Sequence, residues 1–221
     1  MSNLEILPQK YRLALVFRQI FFPFTYPDFL DSLKAKNFDI IPKDLPLFSG
    51  PRAYVSGLIA KKQNCIVHLD ADKKFLATEG RSVNDVIKVY AQLVKIAEEN
   101  FKVKKEDIEY LETISDLVIK STKNPLLQIH KILQTTQVIK KFCDILGIEV
   151  SLYALRITPK EAYPGDKNWF DIAIEPRITK PEDEYYVQVI YRNEDTNKAL
   201  EFLNQVNERI IRLIQIIEGQ L

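Results

Sequence analysis

The order of apolar and polar positions along this chain is written twice. Hydrophobic periodicity predicts strand, helix, three strands and a long helix over roughly residues 10–103, then the same six elements over roughly 104–221. The long helices that close the two stretches align position by position: Val86 with Ala199, Ile87 with Leu200, Val89 with Phe202, Tyr90 with Leu203, Leu93 with Val206 and Ala97 with Ile210. Asn84 with Asn197 and Gln92 with Gln205 match outright. The apolar stripes of these helices are too wide to be left in water, and an antiparallel sheet is the available partner. The expected class is therefore α+β: a curved antiparallel sheet with long helices on one face and an internal pseudo-two-fold duplication. Residues 1–221 would form a single domain of pseudo-repeats 10–103 and 104–221.

Within the first repeat, Lys10–Phe22 alternates as a strand, with Leu13, Leu15 and Phe17 on one face and Arg12, Ala14, Val16 and Arg18 on the other. Pro23 ends it. Pro27 opens a short helix that carries Phe29, Leu30 and Leu33 inward and stops near Asn37. Phe38–Arg52 holds Pro42, Pro46, Gly50 and Pro51 and reads as a long, stiffened loop. Ala53–Ala60, Asn64–Asp70 and Lys74–Thr78 form a predicted meander, with turns at Lys61–Gln63 and Ala71–Lys73. Ser82, with Asp85 three residues on, starts the long helix Val83–Asn100, and the polar Lys102–Asp107 links the halves. The second repeat reads as strand Ile108–Ile119 and a helix from Asn124-Pro125 to Leu146 with Gly147 as its stop. Strands follow at Val150–Thr158, Asn168–Ile178 and Tyr185–Arg192, then a helix capped by Asp195 or Thr196 and ending at Gly219. Pro176 makes the end of its strand an edge or a bulge.

Composition narrows the function classes. A net charge of +1 gives no global basic excess to attract phosphates, so nucleic acid is the less favoured partner. No run of eighteen apolar residues predicts a membrane span, and Met1–Lys10 lacks a signal-peptide pattern, so the expected location is cytoplasmic. Abundant Lys, Glu and Ile, with Met1 the sole methionine, lean toward a thermophilic source. Cys65 and Cys143 lie far apart in apolar contexts with no CxxC pair and read as buried free thiols.

Reactive constellations are sparse. His130 sits in mid-helix, whereas His68 lies on a strand opposite the parity of Cys65, Val67 and Leu69. Asp70-Ala71-Asp72 suits a tight turn better than a cation site. Gly50–Gly57 lacks the Lys-Ser/Thr of a phosphate-binding loop, and neither a nucleophile elbow nor a zinc-binding helix motif occurs. Asp171 and Glu175 share one side of a strand about 13 Å apart, too far for a paired-carboxylate glycosidase. No catalytic residue, metal or cofactor is expected.

One surface stands out. Strand parity gathers Arg12, Arg18, Ser56, His68, Arg156, Trp169, Asp171, Glu175, Tyr186, Gln188 and Arg192 on the sheet face opposite the core. Of these, Arg18, His68, Arg156, Trp169, Asp171, Glu175, Tyr186, Gln188 and Arg192 are the candidate ligand- or partner-binding residues, joining aromatic rings to guanidinium and carboxylate groups. Asp171 and Glu175 would neutralise two of the arginines. A third, beside Trp169 and Tyr186, would hold an anionic or aromatic group by bidentate hydrogen bonds and stacking, with Phe38–Arg52 bordering the face.

The repeated strand–helix–three-strand–helix order resembles the TATA-binding-protein-like and helix-grip architectures over nearly the whole chain. That resemblance implies a curved antiparallel sheet with long helices on one face. The TATA-binding protein applies its concave sheet to the DNA minor groove through phenylalanine wedges and basic residues. Here the face carries Trp169 and Tyr186, no pairs of Phe, and acids among the bases, which argues against DNA bending. More loosely, Asn64–Asn100 and Trp169–Glu218 resemble a sporadically distributed, uncharacterised microbial family, which implies no activity.

The expected function is a non-catalytic binding or interaction module. One alternative is a small-molecule-binding protein or enzyme with a cavity between sheet and helices. Another is a nucleic-acid binder through the open sheet face. Expected partners are a second copy of the chain, a small molecule or another protein, and no membrane. Homodimerisation is expected through edge strands near Pro176 and the apolar C-terminal residues Ile216, Ile217 and Leu221.

Overall fold

The computed structural model describes residues 4–25, 27–41, 57–133 and 137–220. Its elements are β1 (Glu5–Phe17), α1 (Asp28–Ala35), β2 (Asp39–Ile40), β3 (Gly57–Lys62), β4 (Cys65–Asp70), β5 (Phe75–Gly80) and α2 (Val83–Phe101) in the first half. A single 3-10 turn at Lys105–Asp107 leads to β6 (Ile108–Lys120), α3 (Pro125–Leu133), α4 (Gln137–Leu146), β7 (Leu155–Ile157), β8 (Trp169–Pro176), β9 (Glu184–Asn193) and α5 (Thr196–Ile217).

The described strands form one curved, wholly antiparallel sheet in the order β2-β3-β4-β5-β1-β6-β9-β8-β7. Its middle is the pairing of β1 with β6, which runs from Glu5 opposite Lys120 to Phe17 opposite Ile108. Outward from that seam, one side reads first strand, last strand, and so back along its half (β1-β5-β4-β3), and the other side reads β6-β9-β8-β7.

Alternation decides the two faces. Tyr11, Leu13, Leu15 and Phe17 of β1, Val67 and Leu69 of β4, Leu111 and Leu117 of β6, and Val187 and Val189 of β9 are buried in one core. The two long helices close over it, burying Val86, Val89, Leu93 and Ile96 from α2 and Leu203, Val206, Ile210 and Ile214 from α5. Tyr11 shows the contact directly: its hydroxyl donates to Asn207 Oδ1 of α5 at 2.7 Å. The N-cap of α2 is Ser82, whose Oγ accepts from the Asp85 amide at 3.3 Å, and Asp195 caps α5 through the Asn197 amide at 3.0 Å. In α1, Phe29, Leu30 and Leu33 point inward as their spacing predicts.

Several boundaries differ from the sequence pattern. The first strand spans Glu5–Phe17 rather than Lys10–Phe22, because Phe21 and Phe22 fold back onto Phe17, with ring centroids 6.4 and 6.2 Å away. Pro8 is accommodated by a register shift between Pro8 and Lys10. The predicted loop Phe38–Arg52 contains the two-residue strand β2, and its remainder from Pro42 lies outside the described residues, as do Ala53–Ser56 of the next predicted strand. Of the single helix predicted to Leu146, the described residues give the two segments α3 and α4, and 134–136 between them lie outside the described residues. Only Leu155–Ile157 of the predicted strand Val150–Thr158 pairs with β8. Beyond Ile174 the neighbour approaches Pro176, which has no amide hydrogen, and Tyr153 instead donates its hydroxyl to the Pro176 carbonyl at 2.7 Å. Cys65 is buried, but Cys143 is only half-buried. Ile217 is buried while Ile216 is exposed. No helix among the described residues is long and apolar enough to cross a membrane.

Candidate functional site

The sheet face opposite the core carries most of the predicted cluster, but not as one site. Register sets Trp169 beside Arg192, Asp171 beside Ile190, Ala173 beside both Gln188 and Arg156, and Glu175 beside Tyr186. The seven candidates among them, Arg156, Trp169, Asp171, Glu175, Tyr186, Gln188 and Arg192, therefore share the β7–β9 half of the face. His68 faces the same way from β4, four strands from β9 and roughly 19 Å off at ordinary strand spacing. Arg18 lies past the end of β1, its amide bonded to the Asp107 carbonyl at 3.0 Å, beside Lys105, Glu106 and Glu194. Both stand apart from the cluster. Ser56 lies outside the described residues.

Within the cluster the charges are already matched. Asp171 is almost fully buried and takes a two-nitrogen clasp from Arg156, whose Nε lies 2.7 and 3.0 Å from the carboxylate oxygens. That clasp holds the guanidinium above its ordinary range. Arg192 donates from Nε to Glu112 at 2.6 Å and from Nη1 to the Pro164 carbonyl at 2.8 Å. Its guanidinium lies between the rings of Tyr110 and Trp169, at 5.6 and 5.4 Å from their centroids. The acid that neutralises Arg192 is thus Glu112, on the neighbouring strand β6, and not Glu175. Gln188 donates to Asp116 at 3.1 Å, and Lys10 meets the same carboxylate at 2.6 Å. Burial, with Asp116 and Glu175 nearby, raises the Tyr186 hydroxyl above its usual range. The aromatic–guanidinium arrangement exists, yet its hydrogen-bonding capacity is turned inward.

On the other half of the face, Arg12 lies over the Phe75 ring at 4.6 Å. Burial holds His68 below its ordinary range; the Arg12 guanidinium adds to this and Glu79 opposes it. His68 Nε2, Arg12 Nε and Trp169 Nε1 are buried without a hydrogen-bond partner among the described residues. Asp70 uses its carboxylate to accept from the Lys73 amide at 2.8 Å, so it builds the turn. Among the described residues no group of three metal-ligating side chains comes together.

A concavity lies on the core side, between α5 and strands β8 and β9. It is a cleft of about 610 Å³. Phe170, Ile172, Tyr191, Phe202, Ile210 and Leu213 make its apolar walls, and Lys198, Glu201, Arg209 and Arg212 stand along α5. Tyr191 and Phe202 stack at 4.0 Å with planes 8° apart, and Arg209 sits over Phe202 at 5.1 Å. Arg209 donates to Gln205 at 2.7 Å, whereas Lys198 and Arg212 have no ion pair with any described residue. A cavity between sheet and helices is among the expectations from sequence, but none of these residues is. The available signal was the flank of α5, where Lys198, Phe202, Arg209 and Leu213 recur at helical spacing beside its buried stripe.

No known family model matches the chain, and no curated protein does.

Proposed function

We propose that the chain is a binding module that takes a small amphipathic anion in the cleft beside α5. The observation that carries this reading is an apolar recess of about 610 Å³, within the size range of small-molecule sites, with two cations at its edge that form no ion pair among the described residues. An aromatic or acyl group would displace water from Phe170, Ile172 and Leu213, while its acidic head would meet Lys198 or Arg212. The opposite sheet face is the weaker candidate for an anion or for nucleic acid, because Arg156 and Arg192 are each held by a carboxylate. We further read the halves as a duplication of the TATA-binding-protein-like kind. The mirrored strand order about the β1–β6 seam supports this reading, and it carries no DNA-binding activity with it.

Anilinonaphthalene sulfonate, an anionic fluorescent probe, tests the cleft against its neutral analogue phenylnaphthylamine. Both should bind to the wild type, the sulfonate more tightly. Arg212→Glu combined with Lys198→Glu should weaken the sulfonate by about tenfold and leave the neutral probe within about twofold. Phe142→Glu, on α4, controls for dye bound elsewhere and should change neither. Equal affinity of the sulfonate for wild type and the double variant would remove the cleft from consideration.

A further inference from the structure

We propose that the head group of the ligand in the α5 cleft is a phosphoryl monoester, read by Arg209 together with Arg212. This rests on the cleft being a ligand site, and it names which of the cations there take the charge.

The cations of α5 stand at two ends. Lys198 precedes Arg212 by fourteen positions, roughly 21 Å along the helix axis, so one small ligand meets one end or the other. The Lys198 end also carries Glu201, the only acid among the described lining residues, and its charge opposes an anion there. At the far end Arg209 and Arg212 are three residues apart on one flank of the helix, with Cβ atoms about 5–6 Å from each other. Neither forms an ion pair with any described residue, and Glu208, the nearest acid in sequence, bonds to neither. Two guanidinium groups therefore share one end of the recess with no carboxylate bonded to them.

Arg209 is already oriented. Its Nη2 donates to Gln205 Oε1 at 2.7 Å, and Gln205 in turn donates to Glu201 at 3.3 Å. The guanidinium carbon lies 5.1 Å from the centre of the Phe202 ring, which itself stacks on Tyr191. Nε and Nη1 have no hydrogen-bond partner among the described residues. They remain as donors on a group fixed from two sides, so binding an anion costs little further side-chain freedom.

The number of donors selects the head. A carboxylate has two oxygens and one charge, which one guanidinium satisfies. A phosphoryl monoester has three terminal oxygens and nearly two charges at neutral pH, which suits the pair. The ester carbon would then lie beside Ile210 and Leu213, with the tail running toward Phe170 and Tyr191.

Calorimetric titration of the full chain with 1-naphthyl phosphate, 1-naphthoate and inorganic phosphate tests this. The ester should bind about tenfold tighter than the carboxylate, and inorganic phosphate, lacking a tail, about a hundredfold weaker than the ester. Arg209→Lys keeps the charge but loses the fork and the ring contact, so it should weaken the ester by about tenfold. Arg212→Lys should act in the same direction, and Lys198→Ala should cost less than either. Phenylnaphthylamine, bound within about twofold of wild type, shows that the recess is intact in each variant. If this neutral dye does not bind the wild type, the cleft itself fails as a ligand site. If it binds while ester and carboxylate are equal, or while Lys198→Ala costs more than Arg209→Lys, the phosphoryl assignment alone is overturned. Capture of the chain by phosphatidic acid vesicles without binding of naphthyl phosphate overturns it in favour of a lipid surface.

Discussion

Replacing Phe24 by Ala should be among the most damaging single changes in the first half, and its cost can be sized from the geometry. Phe24 is fully buried. Its ring meets Phe17 at 5.4 Å, Phe22 at 5.6 Å and Phe101 at 5.3 Å, all edge to face, and Phe29 at 4.4 Å. Truncating a buried Phe costs about 3–5 kcal/mol through lost transfer energy and the cavity left behind. The edge-to-face pairs place the value at the upper end, although their contributions of about 0.5–1.5 kcal/mol each do not add. Of the four neighbouring rings, Phe17, Phe29 and Phe101 are anchored on β1, α1 and α2, which leaves them too constrained to collapse into the gap. A loss of about 4 kcal/mol in a chain of this size lowers the melting temperature by about 8–16 °C. Phe202 supplies the comparison. It also contacts one ring closely, Tyr191, but its flank opens on the cleft, so Phe202→Ala should cost only about 2 kcal/mol. Urea unfolding monitored by tyrosine and tryptophan fluorescence measures both. If Phe24→Ala costs under about 1.5 kcal/mol, or no more than Phe202→Ala, then the ring cluster is not the packed anchor its geometry implies.

Other outcomes follow from single contacts. Arg192→Ala leaves Glu112 without its partner and the Pro164 carbonyl without its donor, so it should destabilise by about 2 kcal/mol, and adding Glu112→Gln should recover part of that in the same unfolding assay. Arg177 at 2.5 Å and Lys180 at 3.2 Å hold the Glu184 carboxyl below its usual range. Its contribution is therefore complete above the unfolded carboxylate value near ~4.3 and is lost as pH falls through the lower folded value, so Glu184→Gln should flatten the acid limb of the stability profile. A Cβ on Gly80 would come within 2.9 Å of Cys65 Sγ and 3.2 Å of Val86, so Gly80→Ala should cost about 1–3 kcal/mol, and a simultaneous Cys65→Ala should relieve it.

Elements were legible wherever one periodicity ran long enough to exclude the other. The helix at Val83–Phe101 and its Ser82 cap follow directly from the apolar stripe and the capping-box spacing, and so does α5 behind Asp195. The strand parity of β8 and β9 was legible for the same reason, so Trp169 and Arg192 were expected on one face and are cross-strand neighbours. Partner choice was not. Parity says which face Arg192 occupies but not which strand lies beside β9, so Glu112, far away in sequence, could not be named as its counter-ion. His68 was grouped with Arg156 for the same reason: both sit on one face, and only the strand order shows the distance between them. A cavity between sheet and helices was among the expectations, but its lining escaped because these walls are ordinary core residues by type, and a packed hydrophobic pattern reads the same as one with a gap in it.

The placement of β1 also has a consequence in time. It is synthesised before the other strands of this sheet and ends in its middle, with β5 on one edge and β6 on the other. Those partners lie roughly 60 and 100 positions further along the chain, so at ribosomal rates of about 5–20 residues per second both edges wait several seconds to be covered. Throughout that interval the apolar Leu13, Leu15, Val16 and Phe17 lack the sheet partners of their backbone donors and acceptors. Of the strands in this sheet, β1 is therefore where a nascent-chain chaperone has its longest opportunity, and where crowding of unfinished chains on one message would first lead to aggregation.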